Sequence, residues 1–297
     1  APFNAHPLLK KFAIDYVPTH KNALTSIGFS SDFSGTSNSA SLKNTVINID
    51  QTQLTGDVNI THFAQPKYRF DLSLNNIVID DYLPVEEKPT TKDTTPAEPI
   101  NAAEALAAPI VLLKDIYANG TFRAKKITAS NIVLENNVIS VVSNQQKVVI
   151  KPALDLYEGK LNGTISLART AKPTLSIVTQ LKQVNLEPLL IAADITDQFS
   201  GIGNLSTNIT VKDNNGKPSS KGSIKVAAKN GAIKGIDIKK ILDDAQATID
   251  KLRRKETKAS TDASTEDTTR FAEMTATLLL DNDIITNNDL SMKAPAF

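Results

Sequence analysis

The stretch Gln53–Leu83 reads QLTGDVNITHFAQPKYRFDLSLNNIVIDDYL, and the stretch Lys160–Leu190, which begins 107 positions later, reads KLNGTISLARTAKPTLSIVTQLKQVNLEPLL. A weaker third copy of the closing apolar pattern runs from Ile233 to Leu242. Internal repeats are typical of arrays that stack one structural unit, so they predict an extended array and not a closed catalytic domain. The two main copies align without a gap and match at Leu54 with Leu161, Gly56 with Gly163, Pro66 with Pro173, Phe70 with Ile177, and Leu74 with Leu181.

Apolar and polar residues alternate in both copies, which is the pattern of half-buried β-strands. Leu54, Val58 and Ile60 share one face of a predicted strand, while Asp57 and Asn59 share the other. We expect neighbouring strands to pair as an antiparallel meander. Further strands are predicted near Thr45–Ile49, Ile127–Leu134, Val138–Val142, Val148–Leu154, Leu205–Val211, Gly222–Ala228, Met274–Leu280 and Ile284–Met292, the last two joined by a turn at residues 281–283.

Helical spacing of apolar residues is clearest at Ile238–Lys255. Shorter helices are predicted from Asn4 or Pro7 to Tyr16 and over Glu187–Ala193. Two stretches, Pro84–Asn101 and Glu256–Thr268, are rich in polar residues and proline and are predicted to be solvated loops. The chain then divides into residues 1–83 with the first repeat unit and an N-terminal helix, a flexible linker 84–101, and a region 102–297 that contains helix 238–255 and the disordered loop 256–268.

Composition excludes several classes of function. The 33 Lys and Arg residues balance 32 Asp and Glu, so no net positive field favours nucleic acid as a partner. There is no cysteine, and the three histidines are isolated from paired carboxylates, so we predict no metal, no cofactor and no enzymatic activity. The doublets Asp80-Asp81 and Asp243-Asp244 lie where strands are predicted to give way to helices, a position typical of helix caps and first-turn acids.

Five motifs, in a fixed order, carry a resemblance to a known family. Together they resemble the C-terminal part of the AsmA family, and the first repeat copy extends the likeness over most of the remaining chain. The motifs are Tyr157–Gly163, Val184–Leu190, Gly201–Leu205, Asn230–Ile238, and the tail formed by Thr269–Met274 and Leu290–Pro295.

The resemblance implies a periplasmic protein of the bacterial envelope, anchored in the inner membrane by an N-terminal helix that is absent from this chain. The family is associated with outer-membrane biogenesis and is similar to bridge-like lipid transfer proteins. It therefore implies a mainly β fold, in which repeated antiparallel β-sheet units with a few short helices curl into an elongated groove. The implied partners are a phospholipid or another acyl lipid, together with envelope proteins.

Repeated amphipathic strands need a cover for their apolar side, and the sequence offers few helices to provide one. We therefore expect a lipid-binding groove in which acyl chains contact Val58, Ile60, Phe70, Leu72, Ile165, Leu167 and Ile177. In the alternative, the same residues pack a closed β-sandwich core, and the protein is a scaffold or assembly factor for outer-membrane proteins without lipid cargo. A hydrolase is a third alternative, for which no catalytic grouping is present.

Overall fold

The computed structural model describes residues 2–12, 14–85, 102–213, 217–235, 268–282 and 284–295, and only the backbone of 102–106. These residues form fourteen strands, three α-helices and a 3-10 helix at Ile79–Tyr82. The predicted helix Ile238–Lys255 lies outside the described residues, as do 86–101 and 256–267 of the two predicted loops. The helices are α1 (His6–Lys11), α2 (Ala102–Leu113) and α3 (Leu186–Ala192).

All described strands belong to one long sheet, in which sequence order and spatial order coincide from β1 to β13 while β14 lies beside β12. This mainly β fold with few short helices confirms the predicted class. The strands are β1 (Ile27–Thr36), β2 (Ser39–Ile49), β3 (Thr52–Thr61), β4 (Lys67–Val78), β5 (Tyr117–Ala129), β6 (Ile132–Ser143), β7 (Lys147–Leu156), β8 (Gly159–Ala168), β9 (Thr174–Asn185), β10 (Phe199–Asp213), β11 (Pro218–Lys234), β12 (Thr268–Asp281), β13 (Ile284–Thr286) and β14 (Ser291–Lys293).

The repeat is visible as repeated structure. Adding 107 to the bounds of β3 and β4 gives the bounds of β8 and β9, and the same shift takes the 3-10 helix to the start of α3. Both copies keep a glycine because the neighbouring strand approaches closely. A Cβ atom at Gly56 would lie 2.0 Å from the carbonyl oxygen of Asp71, and one at Gly163 would lie 2.5 Å from that of Val178.

One strand pair departs from the predicted antiparallel meander, since β4 and β5 are parallel. Parallel neighbours need a long crossover connection, and here the chain runs from Val78 to Tyr117 before the sheet resumes. The connection contains α2. The prediction of antiparallel pairing was wrong for β4 and β5. Their direction depends on the long connection between them, which lies between the two copies of the repeat.

The predicted bounds of two strands were wrong. The stretch Ile127–Leu134 spans a hairpin turn, because Ser130 and Asn131 adopt φ values of 47° and 67°, as a two-residue type I′ turn requires. The stretch Ile284–Met292 is divided into β13 and β14. Between them the side chains of Asn287 and Asp289 bind the backbone of Thr277 on β12, which replaces the ladder with side-chain hydrogen bonds.

The N-terminal helix α1 ends at Lys11 and not at Tyr16 as predicted, and the chain that follows it pairs with the end of the first copy. The backbone N–H of Thr19 donates to the carbonyl of Leu83 at 2.8 Å, and that of Val85 donates to the carbonyl of Val17 at 2.9 Å. Extended residues that pair in this way cannot continue a helix. Within the described ranges, none of the helices has the length and the apolar character that a membrane span needs.

Candidate functional site

One surface of the sheet carries a continuous row of paired residues, each of which is apolar or glycine. Directly paired residues on neighbouring strands project their side chains to the same face. We call this surface the apolar face and the row its middle row. From β1 to β12 the row comprises Phe33, Leu42, Val58, Phe70, Gly120, Val141, Ile150, Ile165, Ile177, Ile209, Gly222 and Leu280.

All seven residues predicted to form the site lie on the apolar face. Val58, Phe70, Ile165 and Ile177 belong to the middle row. The other three lie in the flanking rows, where Ile60 pairs with Tyr68, Leu167 with Leu175, and Leu72 with Phe122. The structure therefore brings them to one face but divides them between β3–β4 and β8–β9, with three strands in between.

Helix α2 lies on the apolar face of the second copy, against β9, β10 and β11. Its Ile110 side chain is 2% exposed and packs in one cluster with Val148, Leu167, Leu175 and Val211, all of which are buried. Ile165 and Ile177 pack against the same cluster. At this end of β7 to β11 the apolar face is thus covered by the chain itself.

Arg169 holds the C-terminal end of α2 in place. Its guanidinium group donates hydrogen bonds to the carbonyl oxygens of Leu113, Ile116 and Asn144, and its charge lies 4.3 Å from the ring centre of Tyr117. Carbonyls at the end of a helix have no partner within the helix and favour a cation. Arg169 therefore joins the end of α2 to the β6–β7 turn and to the start of β5.

The corresponding surface of the first copy is more open. Ile60, which the repeat aligns with Leu167, is only partly buried, whereas Leu167 has no exposed surface. At the β1 edge the side chain of Phe33 is 71% exposed, and Phe29 is exposed as well. Apolar side chains that share a face and remain accessible to solvent are the feature expected of an interaction surface.

The opposite ends of the two copies are closed in different ways. In the second copy Leu156, Leu181 and Val184 form a buried apolar cluster, against which Leu186 and Leu189 of α3 pack. In the first copy this end is closed by the N-terminal segment and the 3-10 helix through polar contacts. The tyrosine hydroxyl of Tyr16, for example, donates to the carbonyl oxygen of Tyr82.

Asp50 is the centre of this polar closure. Its carboxylate accepts backbone N–H groups of Leu24, Thr25 and Ser26 at 2.7 to 3.0 Å, and the hydroxyl of Tyr82 at 3.2 Å. Partial burial alone would raise the pKa of Asp50, but these hydrogen bonds stabilise the charged form and hold the pKa below its ordinary value. The charged carboxylate therefore fastens the N-terminal segment to the β2–β3 turn.

The other face of the sheet carries many charged and polar side chains, together with the exposed Val142, Val178 and Leu279. It carries a shallow depression of about 320 Å³. The lining includes the charged residues Lys43, Asp57, Arg69 and Asp71 and also Val58 and Phe70 of the predicted site. Arg123 forms an ion pair with Asp71 at its edge. Because this depression is shallow and open, it would leave most of an acyl chain in contact with water, and the apolar face remains the candidate site.

The acidic doublet Asp80-Asp81 contributes to structural hydrogen bonding, and its described contacts include no catalytic acid–base pair. Both residues lie in the first turn of the 3-10 helix, as predicted, and the carboxylate of Asp80 accepts the backbone N–H of Ser130 at 2.8 Å. The doublet Asp243-Asp244 lies outside the described residues. Among the described residues, no three His, Asp or Glu side chains gather as metal ligands would.

Helix α2 is the part of the site that the sequence analysis missed. Its described side chains, Ala107–Leu113, are all apolar, so they show none of the polar and apolar periodicity by which surface helices are recognised. A signal was nevertheless present. Twelve residues rich in Ala and Leu, with Glu104 as the one charge, favour a helix.

Comparison with known proteins agrees with the resemblance drawn from the motifs. A model of the AsmA family matches residues 17–290, which is most of the chain and includes every strand from β1 to β13. Searches of curated proteins and of solved structures gave no significant match. The extent of the family match, over both copies of the repeat, shows that this chain belongs to the AsmA family.

Proposed function

We propose that this protein binds the acyl chains of lipids on its apolar face and transfers lipids during outer-membrane biogenesis. The AsmA family is generally associated with the bacterial envelope, and a role in lipid transport is consistent with membership of it. The observation that carries the proposal is the middle row, in which apolar residues and glycines follow one another across twelve neighbouring strands.

The dimensions and energetics of the row suit an acyl chain. Strands lie about 4.8 Å apart, so twelve of them extend over about 50 Å, which exceeds the hydrocarbon thickness of about 30 Å of a bilayer. Each methylene group removed from water contributes about 0.8 kcal/mol. A row of this length therefore has room for a whole acyl chain and offers a free-energy gain for each of its carbons.

We also propose a periplasmic location with an anchor in the inner membrane. Phospholipid or another acyl lipid is the proposed cargo, with envelope proteins as further partners. Binding and release of lipid require no covalent step and no cofactor. The charged residues of the opposite face, such as Arg69 and Lys43, suit contact with water while the apolar face holds the cargo.

The direct test is mass spectrometry of the lipids that remain bound after gentle purification. We expect phospholipid to accompany the unmodified protein and to be largely lost from Phe70→Asp, because an unpaired carboxylate on the apolar face costs several kcal/mol, about 3 or more. The matched control is Arg69→Asp, at the neighbouring position on the polar face, which should retain lipid. A folded sample that repeatedly carries no lipid would reject the proposal.

A second candidate function is a scaffold for outer-membrane proteins, in which the apolar face is ordinary core. The covered part of the second copy favours it, since Leu167, Leu175 and Val211 are buried by the chain itself. Cross-linking in the cell envelope distinguishes the two functions. Protein partners trapped without lipid would support the scaffold, whereas lipid trapped at Phe70 would support transfer.

A further inference from the structure

The two copies of the repeat present equivalent residues in different surroundings. Phe70 and Ile177 occupy matching positions in the middle row, and so do Val58 and Ile165. In the second copy this surface packs against the cluster that contains Ile110 of α2. We infer that α2 occupies, on the second copy, the place that an acyl chain takes on the first, and that Arg169 keeps it there. The inference rests on the proposed function and adds to it that α2 competes with the lipid for the apolar face.

Helix α2 carries apolar side chains both on the side that faces the sheet and on the side that faces away from it. Ile110 faces the sheet, while Val111 and Leu112 on the outer side are 67% and 70% exposed. A helix that separates a core from water normally carries polar residues on its outer side. An apolar outer side is suited to contact with acyl chains, so α2 has the composition of a groove occupant and not that of an ordinary cover.

The contacts that attach α2 to the sheet are of a kind that an acyl chain can replace. The contacts of α2 with the apolar face are non-directional, so an acyl chain can replace them without leaving polar groups unpaired. Pro109 lies inside the helix and lacks the N–H that would bind the preceding turn. The directional hold comes from Arg169, whose Nε atom is buried with no hydrogen-bond partner in the described structure, so this hold is incomplete.

Two arrangements follow from these contacts. With α2 in place, cargo has access to the first copy and is excluded from the surface around Leu167 and Ile177. With α2 displaced, the middle row becomes accessible from one end to the other. Lipid that binds the displaced state better shifts the population toward it, which makes α2 a gate that the cargo itself opens.

A photo-crosslinker placed at equivalent positions tests the inference. p-Benzoylphenylalanine is introduced at Phe70 or at Ile177 in the full chain, which is then irradiated with vesicles of phosphatidylglycerol and dye-labelled phosphatidylethanolamine. With α2 unmodified, we expect labelling at position 70 to exceed that at position 177 by about tenfold, since the closed arrangement dominates. Ile110→Asp on the buried side of α2 should raise labelling at 177 to the level found at 70.

The matched control is Lys114→Gln, at an exposed residue just beyond the C-terminal end of the same helix, which should leave both labelling levels unchanged. Arg169→Gln removes the directional hold without altering the helix and should also raise labelling at 177. Hydrogen exchange of the amides of residues 107, 108 and 110–113, measured on every variant, reports helix release directly. It keeps the test valid if Ile110→Asp impairs folding.

The outcomes separate the inference from the function beneath it. Equal labelling at both positions with α2 unmodified overturns the inference while leaving lipid binding intact. Faster exchange in α2 without new labelling at position 177 also overturns the inference. Unchanged exchange of α2 in Arg169→Gln would show that Arg169 does not hold the helix. Absence of labelling at position 70 in every variant rejects lipid binding itself.

Discussion

The two copies of the repeat have the same strands and the same apolar face, yet this face is more open in the first copy, whereas α2 covers one end of it in the second. Ile60 and Leu167 are equivalent in the repeat and both flank the middle row. The first is partly accessible, whereas the second has no exposed surface and packs in one cluster with Ile110 of α2. A strand pattern therefore determines which residues share a face, whereas the cover over that face comes from elsewhere in the chain.

The largest difference between the copies should appear when a charge is placed at this equivalent pair. We expect Leu167→Asp to reduce the free energy of unfolding by about 4 kcal/mol or to prevent folding, because the carboxylate would be buried without a partner. Ile60→Asp should cost about 1 kcal/mol, since water reaches that position. Denaturant unfolding measures both. Equal losses would show that the first copy is as closed as the second.

A truncation at the neighbouring pair gives a smaller difference of the same kind. Leu175 is fully buried, and the repeat aligns it with Tyr68, which is 37% exposed. Leu175→Ala should cost about 3 kcal/mol, because it leaves a cavity beneath α2, and Tyr68→Ala should cost about 1 kcal/mol. A cost for Tyr68→Ala as large as that for Leu175→Ala would contradict the open first copy.

Acid should affect the two copies unequally, and this is the smallest of the expected effects. Asp50 aligns with Tyr157, and both residues have positive φ, but only the first supplies a carboxylate. Because the folded pKa of Asp50 is lowered, its contribution is complete above the ordinary Asp pKa of about 3.9 and is lost as the pH falls from there through the folded value.

Hydrogen exchange of the strands measures this acid effect copy by copy. Protection of β2 and β3 should decline at a higher pH than protection of β7 and β8. Asp50→Asn removes the ionisable group and serves as the control, so its β2 and β3 should have reduced protection at neutral pH and little further loss in acid. Parallel loss in both copies of the unmodified protein would argue against the role of Asp50.

The sequence allowed the apolar face to be predicted residue by residue, since the direction of a side chain in a strand is a local property with period two. Val58 and Ile165 were assigned to the face in this way, and the paired register places them in one row. The repeat also predicted α3. These features depend on residues that are close in the chain.

The parts that escaped prediction depend on distant residues or on unusual local signals. The turn at Ser130-Asn131 contains no glycine and interrupts a run of strand-forming residues, so the hairpin was read as one strand. The parallel pairing of β4 with β5 follows from a connection outside both repeat copies. The described side chains of α2, at residues 107–113, are all apolar, so they gave no sign of which side would face β9 to β11.

The strand path through the sheet ends at β1 and at β13 without joining them, and the repeat returns every five strands. At a strand spacing of about 4.8 Å, one repeat adds about 24 Å to the path. The length of such a path is therefore set by the number of copies and not by the size of any one of them. Duplication or loss of a copy would change the length of the apolar row while leaving the order of strands within each copy unaltered.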